Sequence, residues 1–290
     1  MIGILRTLFL ASLVLVGCTK GDRVPAYVEV APFTLTTTTA QGAATHKITD
    51  AWVSVDERLI GVWELPARIP VLGEGRKTIS VVPAVKRNGM FDDRVRYPFL
   101  NTFTGPVDLV REGTTVVAPT TTYKSNTVFW IEGFDDPDFA RLSVLPASDT
   151  TLERFTPASN PELLYIDDSP CGGFTLDATH RYFGLYTDED FALASGAVFL
   201  ELDYRCDIFF TVGVLYTSSN ISSFDPVVFV APTVRSNGFM PWNKIYVDLT
   251  GFFNSPGVSQ RDIYLEARLP DGATSGTVYL DNLKIVRFGS

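Results

Sequence analysis

Apolar residues recur at every second position through most of this chain, and that period decides what it can fold into. Ile263, Leu265, Ala267 and Leu269 alternate with Tyr264, Glu266 and Arg268, while Ile245, Val247 and Leu249 alternate with Lys244, Tyr246 and Asp248. Successive side chains of a strand point to opposite faces, so these runs read as antiparallel strands with one buried and one polar face. Asn88-Gly89, Asn237-Gly238, Ser255-Pro256-Gly257 and Asp271-Gly272 supply turn chemistry between such runs. Long helical periodicity is nearly absent. Many short strands separated by regular turns predict an all-β chain built from sandwiches. A hydrophobic content of 46% and an aromatic content of 12% supply packed cores and exclude a disordered chain.

The polar, threonine-rich stretch 119–126 divides the chain into a unit at 26–118 and a second at 127–290. In the first, Ala51 to Pro66 reads as two strands about a polar turn, and Gly73 to Pro83 as a glycine-flanked turn and a third strand. This order resembles PEGA-like small β-sandwich modules of envelope proteins, which implies a spacer or protein-contact role and carries no catalytic residues. The run Thr36 to Thr39 reads as an edge strand, since threonine favours strands. In the second unit, the opening run Thr127 to Asp136, the internal run Trp242 to Thr250 and the ending Gly276 to Ile285 resemble jelly-roll carbohydrate-binding and galactose-binding-like modules. The resemblance implies a small N-terminal β-sandwich followed by a C-terminal jelly roll. It does not fix a ligand, because one fold hosts many functions.

Residues 1–17 carry Arg6, a short apolar run and Gly17 directly before Cys18, a secretory signal pattern. The run is too short to cross a hydrocarbon core about 30 Å thick. Leu15-Val16-Gly17-Cys18 resembles a bacterial lipobox. It implies cleavage before Cys18, a diacylglyceryl thioether on its sulfur and a further acyl chain, of the palmitate type, on the new N-terminus. Two or more chains give stable anchoring. Residues 18–25 then form a polar tether. Thr19, where Asp would favour retention at the inner membrane of familiar Gram-negative bacteria, implies the outer membrane; as a whole the chain resembles an envelope lipoprotein of the Bacteroidota. Asp22 alone leaves the leaflet face open.

A formal charge of −9 with only 24 Lys and Arg argues against nucleic-acid partners, since no basic excess exists to displace phosphate counterions. Beyond Cys18, Cys171 and Cys206 form an even pair that fits a disulfide in an oxidising compartment. The alternative comes from alternation, which places Cys206 with Leu200, Leu202 and Tyr204 on a buried face as a free thiol. His46 and His180 are the only histidines, and neither sits in a triad motif or at zinc-ligand spacing. No cofactor is required by any of these residues. Paired carboxylates for glycoside hydrolysis need no motif and stay open as a third function class.

Two sites follow from the second unit. The apolar parity slips around Asp281, the trace of a β-bulge. In the families this ending resembles, an aspartate there joins acids of the opening strand around structural calcium, which implies Glu132, Asp135 and Asp281 as oxygen ligands. The plainer alternative is that Asp281 satisfies backbone groups in the bulge. Tyr246, Tyr264 and Tyr279 all take the polar parity of their strands and would form a binding platform if the strands share a sheet. The tryptophans Trp52, Trp63, Trp130 and Trp242 read as core. The leading expectation is a lipid-anchored, non-catalytic accessory or scaffold subunit at the outer membrane, docking other envelope proteins. The alternative is a glycan-binding surface lipoprotein that uses the jelly roll.

Overall fold

The computed structural model describes residues 24–138, 141–218 and 221–289. It is all-β, as the alternation predicts. The first unit holds β1 (Ala26–Val30), β2 (Thr34–Thr36), β3 (Asp50–Val55), β4 (Arg58–Glu64), β5 (Ala67–Val71), β6 (Gly75–Lys86), β7 (Arg94–Arg96), β8 (Phe103–Leu109), β9 (Thr114–Val117) and β10 (Thr120–Thr122). One sheet runs β5-β1-β9, and a second runs β4-β3-β6-β7, with β8 also on β6. A small parallel pair joins β10 to β2, and Tyr123 bridges to Leu100, so this part of the stretch 119–126, expected as a linker, is packed into the first unit. Val28, Val30 and Ile69 from one sheet meet Val53, Ile79 and Val81 from the other in a buried core.

The second unit holds β11 (Thr127–Glu132), β12 (Leu142–Val144), β13 (Glu153–Phe155), β14 (Cys171–Asp177), β15 (Tyr182–Thr187), β16 (Val198–Cys206), β17 (Phe210–Ser218), β18 (Ile221–Val230), β19 (Asn243–Asp248), β20 (Gln260–Arg268) and β21 (Ser275–Phe288). Its two sheets are β13-β14-β21-β16-β19, with β11 also on β21, and β12-β15-β20-β17-β18. First and last strands pair directly, Trp130 opposite Ile285. Between β16 and β21 the register steps from Glu201 opposite Lys284 to Asp203 opposite Asp281. Two residues of β21 therefore face one of β16, and Asn282 takes φ +48°. This is the bulge traced by the parity slip.

The outward face of the β16–β19–β21 sheet is not solvated. Phe199, Tyr246 and Val286, all on it, belong to the core of the first unit. Around them sits a buried polar cluster of Glu201, Asp203, Lys244 and Lys284. Tyr97 and Tyr123 of the first unit both donate to Glu201 Oε1, at 2.7 and 2.8 Å. Lys244 Nζ lies 3.2 Å from Asp203 and 3.6 Å from Glu201. Thr45 donates to Asp203, and Lys284 donates to the carbonyl of Ala43. The backbone joins in: Asn88 N–H donates to the Tyr246 carbonyl at 2.8 Å, and Asp248 N–H to Asn88 Oδ1 at 2.8 Å. The two sandwiches share an apolar and ionic seam.

Removing one partner of a buried ion cluster leaves the others charged and unpaired, at a cost of about 3–5 kcal/mol. Lys244→Met is expected to lower the unfolding free energy by that order, read from the urea midpoint at constant slope. A loss below about 1 kcal/mol would show that water reaches Glu201 and Asp203, and would remove the seam from the stability of the fold.

Candidate functional site

Several expected site residues are placed elsewhere than the sequence implied. Cys18 lies outside the described residues. Tyr246 and Tyr279 stand on one sheet and Tyr264 on the other, so no common platform exists. The parity of Tyr246 is outward, but the first unit covers that face and the ring is buried. Tyr264 is buried because it lies flat over Gly213, where a Cβ would meet its ring at 2.4 Å, with Phe224 packed edge-on at 5.3 Å. Tyr279 is half-buried between Phe155 and Arg205.

Cys171 and Cys206 are both free and buried. They flank β21 on opposite sides, Gly172 opposite Leu280 and Cys206 opposite Val278. Two strand spacings and three residues of offset separate them by about 14 Å, well past the roughly 7 Å limit for a bridge. Cys206 also points into the inter-sheet core, whereas Cys171, odd against Phe174 and Leu176, faces outward. The disulfide expectation is corrected to two separate thiols. Burial pushes both up to about 12.

The three residues expected to hold calcium gather at one end of the second unit, but not as a ligand set. Glu132, Asp135, Asp136 and Asp167 line a cavity of about 470 Å³, with Asp281 behind Ser169. Among the described residues no three acidic, histidine or cysteine side chains are grouped to hold a metal. The reason is local. Arg154 already takes the carbonyl oxygens of Phe134 at 2.6 Å and Asp135 at 3.2 Å, which a cation would need. Glu132 accepts the Phe134 N–H at 2.7 Å, and Asp281 accepts the Asn282 N–H at 2.6 Å. The residues present do not fit calcium as drawn. Burial and the neighbouring Asp167 carboxylate push Asp281 up to about 8.

Neither histidine is arranged for nucleophilic catalysis. His180 Nδ1 contacts both Asp177, at 3.1 Å, and Thr179 Oγ1, at 3.1 Å. A triad base needs its acid and its nucleophile on different ring nitrogens. His46 is held below its usual range by burial and by Lys244, and its Nδ1 accepts from Ile48 N–H.

The arrangement with the clearest binding chemistry is a cleft of about 460 Å³ where the two sandwiches meet. The Asn88-Gly89 turn of the first unit forms one wall, wedged against β19. A Cβ at Gly89 would stand 3.3 Å from Ile245 Cδ1, and φ there is +73°. The opposite wall is the segment between β18 and β19. Thr233 anchors it, its N–H donating to the Cys206 carbonyl at 2.8 Å, and a turn follows in which Arg235 N–H donates to the Phe239 carbonyl at 2.9 Å. Trp242 closes the floor, half-buried, its indole N–H donating to the Leu164 carbonyl. Phe229, 70% exposed, stands at the rim. Asn243 Nδ2 donates to Tyr204 OH at 2.7 Å, which leaves the phenol proton for a ligand. Asn88 also lines the cleft, and its side-chain oxygen accepts from the Asp248 N–H. No carboxylate, histidine or cysteine is among the lining residues. The cleft offers aromatic faces and neutral or cationic donors.

Trp242, expected in a core, and Asn88-Gly89, expected as a turn, both line this cleft. Nothing in one dimension brings positions 88, 204 and 242 together.

No protein-family model matches the chain, and no curated protein matches it. Similar solved structures include the K2 cleaved adhesin domain of Lys-gingipain, at 14% identity over 54% of this chain and 97% of that one, with TM-score 0.39. The CBM27-1 module of Caldicellulosiruptor saccharolyticus, solved with mannohexaose, aligns at 10% identity over 54% of this chain and 95% of that one, with TM-score 0.37. A carbohydrate-binding module from the β-sandwich superfamily aligns at 8% identity over 81% and 84%, with TM-score 0.32. At these scores the likenesses carry no inference about ligand or reaction.

The Asp281 pKa yields a signed test. Its value of about 8 lies above the ordinary 3.8, so the folded state holds the proton more tightly than the unfolded chain does. Its stabilising share is complete below about pH 4 and is lost as pH rises through 8. Asp281→Asn, which keeps the shape without the charge, is expected to melt higher than wild type at pH 9, by about 2 °C or more. That advantage should fade toward pH 5. A constant difference across pH would mean that Asp281 is not the titrating group. Running the series in calcium and in chelator tests the calcium expectation on the same samples.

Proposed function

We propose that this protein is a non-catalytic, glycan-binding lipoprotein, anchored through acylated Cys18 at an outer membrane and recognising sugar in the cleft between its sandwiches. One observation carries the reading. The cleft combines Trp242 and Phe229 with Asn88, Tyr204 and Arg235 as donors, and has no carboxylate, histidine or thiol among its lining residues. Flat apolar rings stack on sugar C–H faces, while amide, phenol and guanidinium donors orient hydroxyls. The first sandwich acts as pedestal and as one wall of the site. This moves the weight from the scaffold expectation to the glycan alternative.

A second reading, docking of another envelope protein, is favoured by β18. Among the described residues it pairs with β17 alone, and it exposes Ile221, Phe224 and Phe229. Such an edge can accept a partner strand.

Screening the mature soluble chain on immobilised oligosaccharides is expected to give binding that Trp242→Ala weakens tenfold or more, about 1.4 kcal/mol, with the melting curve unchanged. Equal binding by Trp242→Ala would move the site out of the cleft. No glycan binding, together with a partner lost on Phe224→Ser, would establish the docking reading instead.

The anchor is tested separately. Cys18→Ser is expected to abolish incorporation of a clickable fatty acid and to release the protein from membranes, because the thioether needs the sulfur. Equal label on both proteins would rule out Cys18 as the acylated residue.

A further inference from the structure

The first sandwich has an apolar pole, and the chain enters the fold at that pole. β1 begins at Ala26 opposite Val71, so Leu72 lies beside the entry point. The Glu112 N–H donates to the Pro25 carbonyl at 3.1 Å, and the Tyr27 N–H to the Gly113 carbonyl at 2.8 Å, which brings the β8–β9 turn with Val110 to the same place. The β3–β4 turn joins them: Thr78 N–H donates to Asp56 Oδ1 at 3.0 Å, and Leu59 and Leu72 line one cavity of about 480 Å³ with Val71 and Leu109, rimmed by Asp56, Arg58 and Lys77. Three large apolar side chains project from this pole: Leu59 is 46% exposed, Leu72 62% and Val110 64%.

Tether length decides what meets that pole. Eight residue steps separate Cys18 from Ala26. Even a fully extended chain spans at most about 3.6 Å per residue, so Ala26 lies within roughly 29 Å of an acylated Cys18. A leash that short holds the pole at high effective concentration against lipid. Net charge around this pole is zero, so it gives no long-range attraction to or repulsion from a charged surface. Around the three turns, Arg58, Arg76, Lys77 and Arg111 are balanced by Asp56, Glu57, Glu74 and Glu112. The attraction is therefore apolar and insensitive to salt.

We propose that the pole formed by Leu59, Leu72 and Val110 seats on the bilayer surface into which Cys18 is anchored, fixing the orientation of the whole molecule. This rests on acylation of Cys18, and the experiment separates the two. Leu72→Cys and, as control, Asn237→Cys in the cleft-side turn are each introduced into the full acylated chain and labelled with an environment-sensitive fluorophore. Cys171 and Cys206 are buried, so the new thiol takes the label. The proteins are reconstituted into phosphatidylcholine vesicles with and without a shallow lipid-borne quencher, and acylation is verified by mass.

The expected result is blue-shifted emission and at least twofold quenching at position 72, none at position 237, and no change between low and high salt. Acylated protein with equal, unquenched signals at both positions overturns the pole. A label at 72 shielded from aqueous iodide but untouched by the lipid quencher assigns the pole to a protein contact and also overturns it. An unmodified Cys18 by mass defeats the anchor reading first, and the proposal falls with it.

Discussion

Glu201 sits fully enclosed where two sandwiches meet, and its carboxylate needs Tyr97, Tyr123 and Lys244 at once. Two of those three partners come from the other unit. Taking a carboxylate out of water costs several kcal/mol, and the cost is offset only when all donors are in place. Docking is therefore close to all-or-none in its geometry: a sandwich shifted by a residue or two would bury the charge without its phenols. Burial lowers the Lys244 pKa, but the carboxylates of Asp203 and Glu201 outweigh it and raise it. Lys284, bonded to a carbonyl and with Lys244 nearby, is instead pushed down to about 8 by burial. The cleft depends on this seam, because its Asn88 wall belongs to one unit and its Trp242 floor to the other.

How much was legible in one dimension depended on whether a feature was local. Alternation along β19, β20 and β21 gave the strands and their inward residues, and the slip at Asp281 gave the bulge at Asn282. Parity also placed Tyr246 and Lys244 correctly on the outward face. What parity cannot show is whether an outward face meets water or a second domain, and here it meets a domain. The tyrosine platform failed for that reason and because β20 belongs to the opposite sheet. The cysteine pair failed through topology: β14 and β16 have β21 between them, a fact about strand order that spacing does not encode. Arg154, which takes the carbonyls a calcium would need, lies about twenty residues from them and carries no motif. The cleft was invisible because its parts come from positions 88, 204, 229 and 242.

The second sandwich uses its two outer faces differently. One is committed to the first unit over much of its area. The other, formed by β12, β15, β20, β17 and β18, is left open, with Tyr182 donating to Glu266 at 2.9 Å and Arg268 stacked on the Tyr182 ring at 4.2 Å. These contacts run between neighbouring strands of the one sheet. The cleft lies at the end of the sandwich, on connecting segments, where sequence can vary with least disturbance to the sheets.

β6 is the longest strand of the first unit, twelve residues from Gly75 to Lys86, and Asn88 follows its far end. At about 3.3 Å per residue it spans roughly 40 Å from the entry pole to the cleft. On a lipid surface that length is a stand-off. The potential of a charged surface decays over about 8 Å at physiological ionic strength, so the cleft would lie several screening lengths above the headgroups. A ligand reaching Trp242 would meet a site electrically blind to the lipid composition beneath it, with one unbroken strand setting the height.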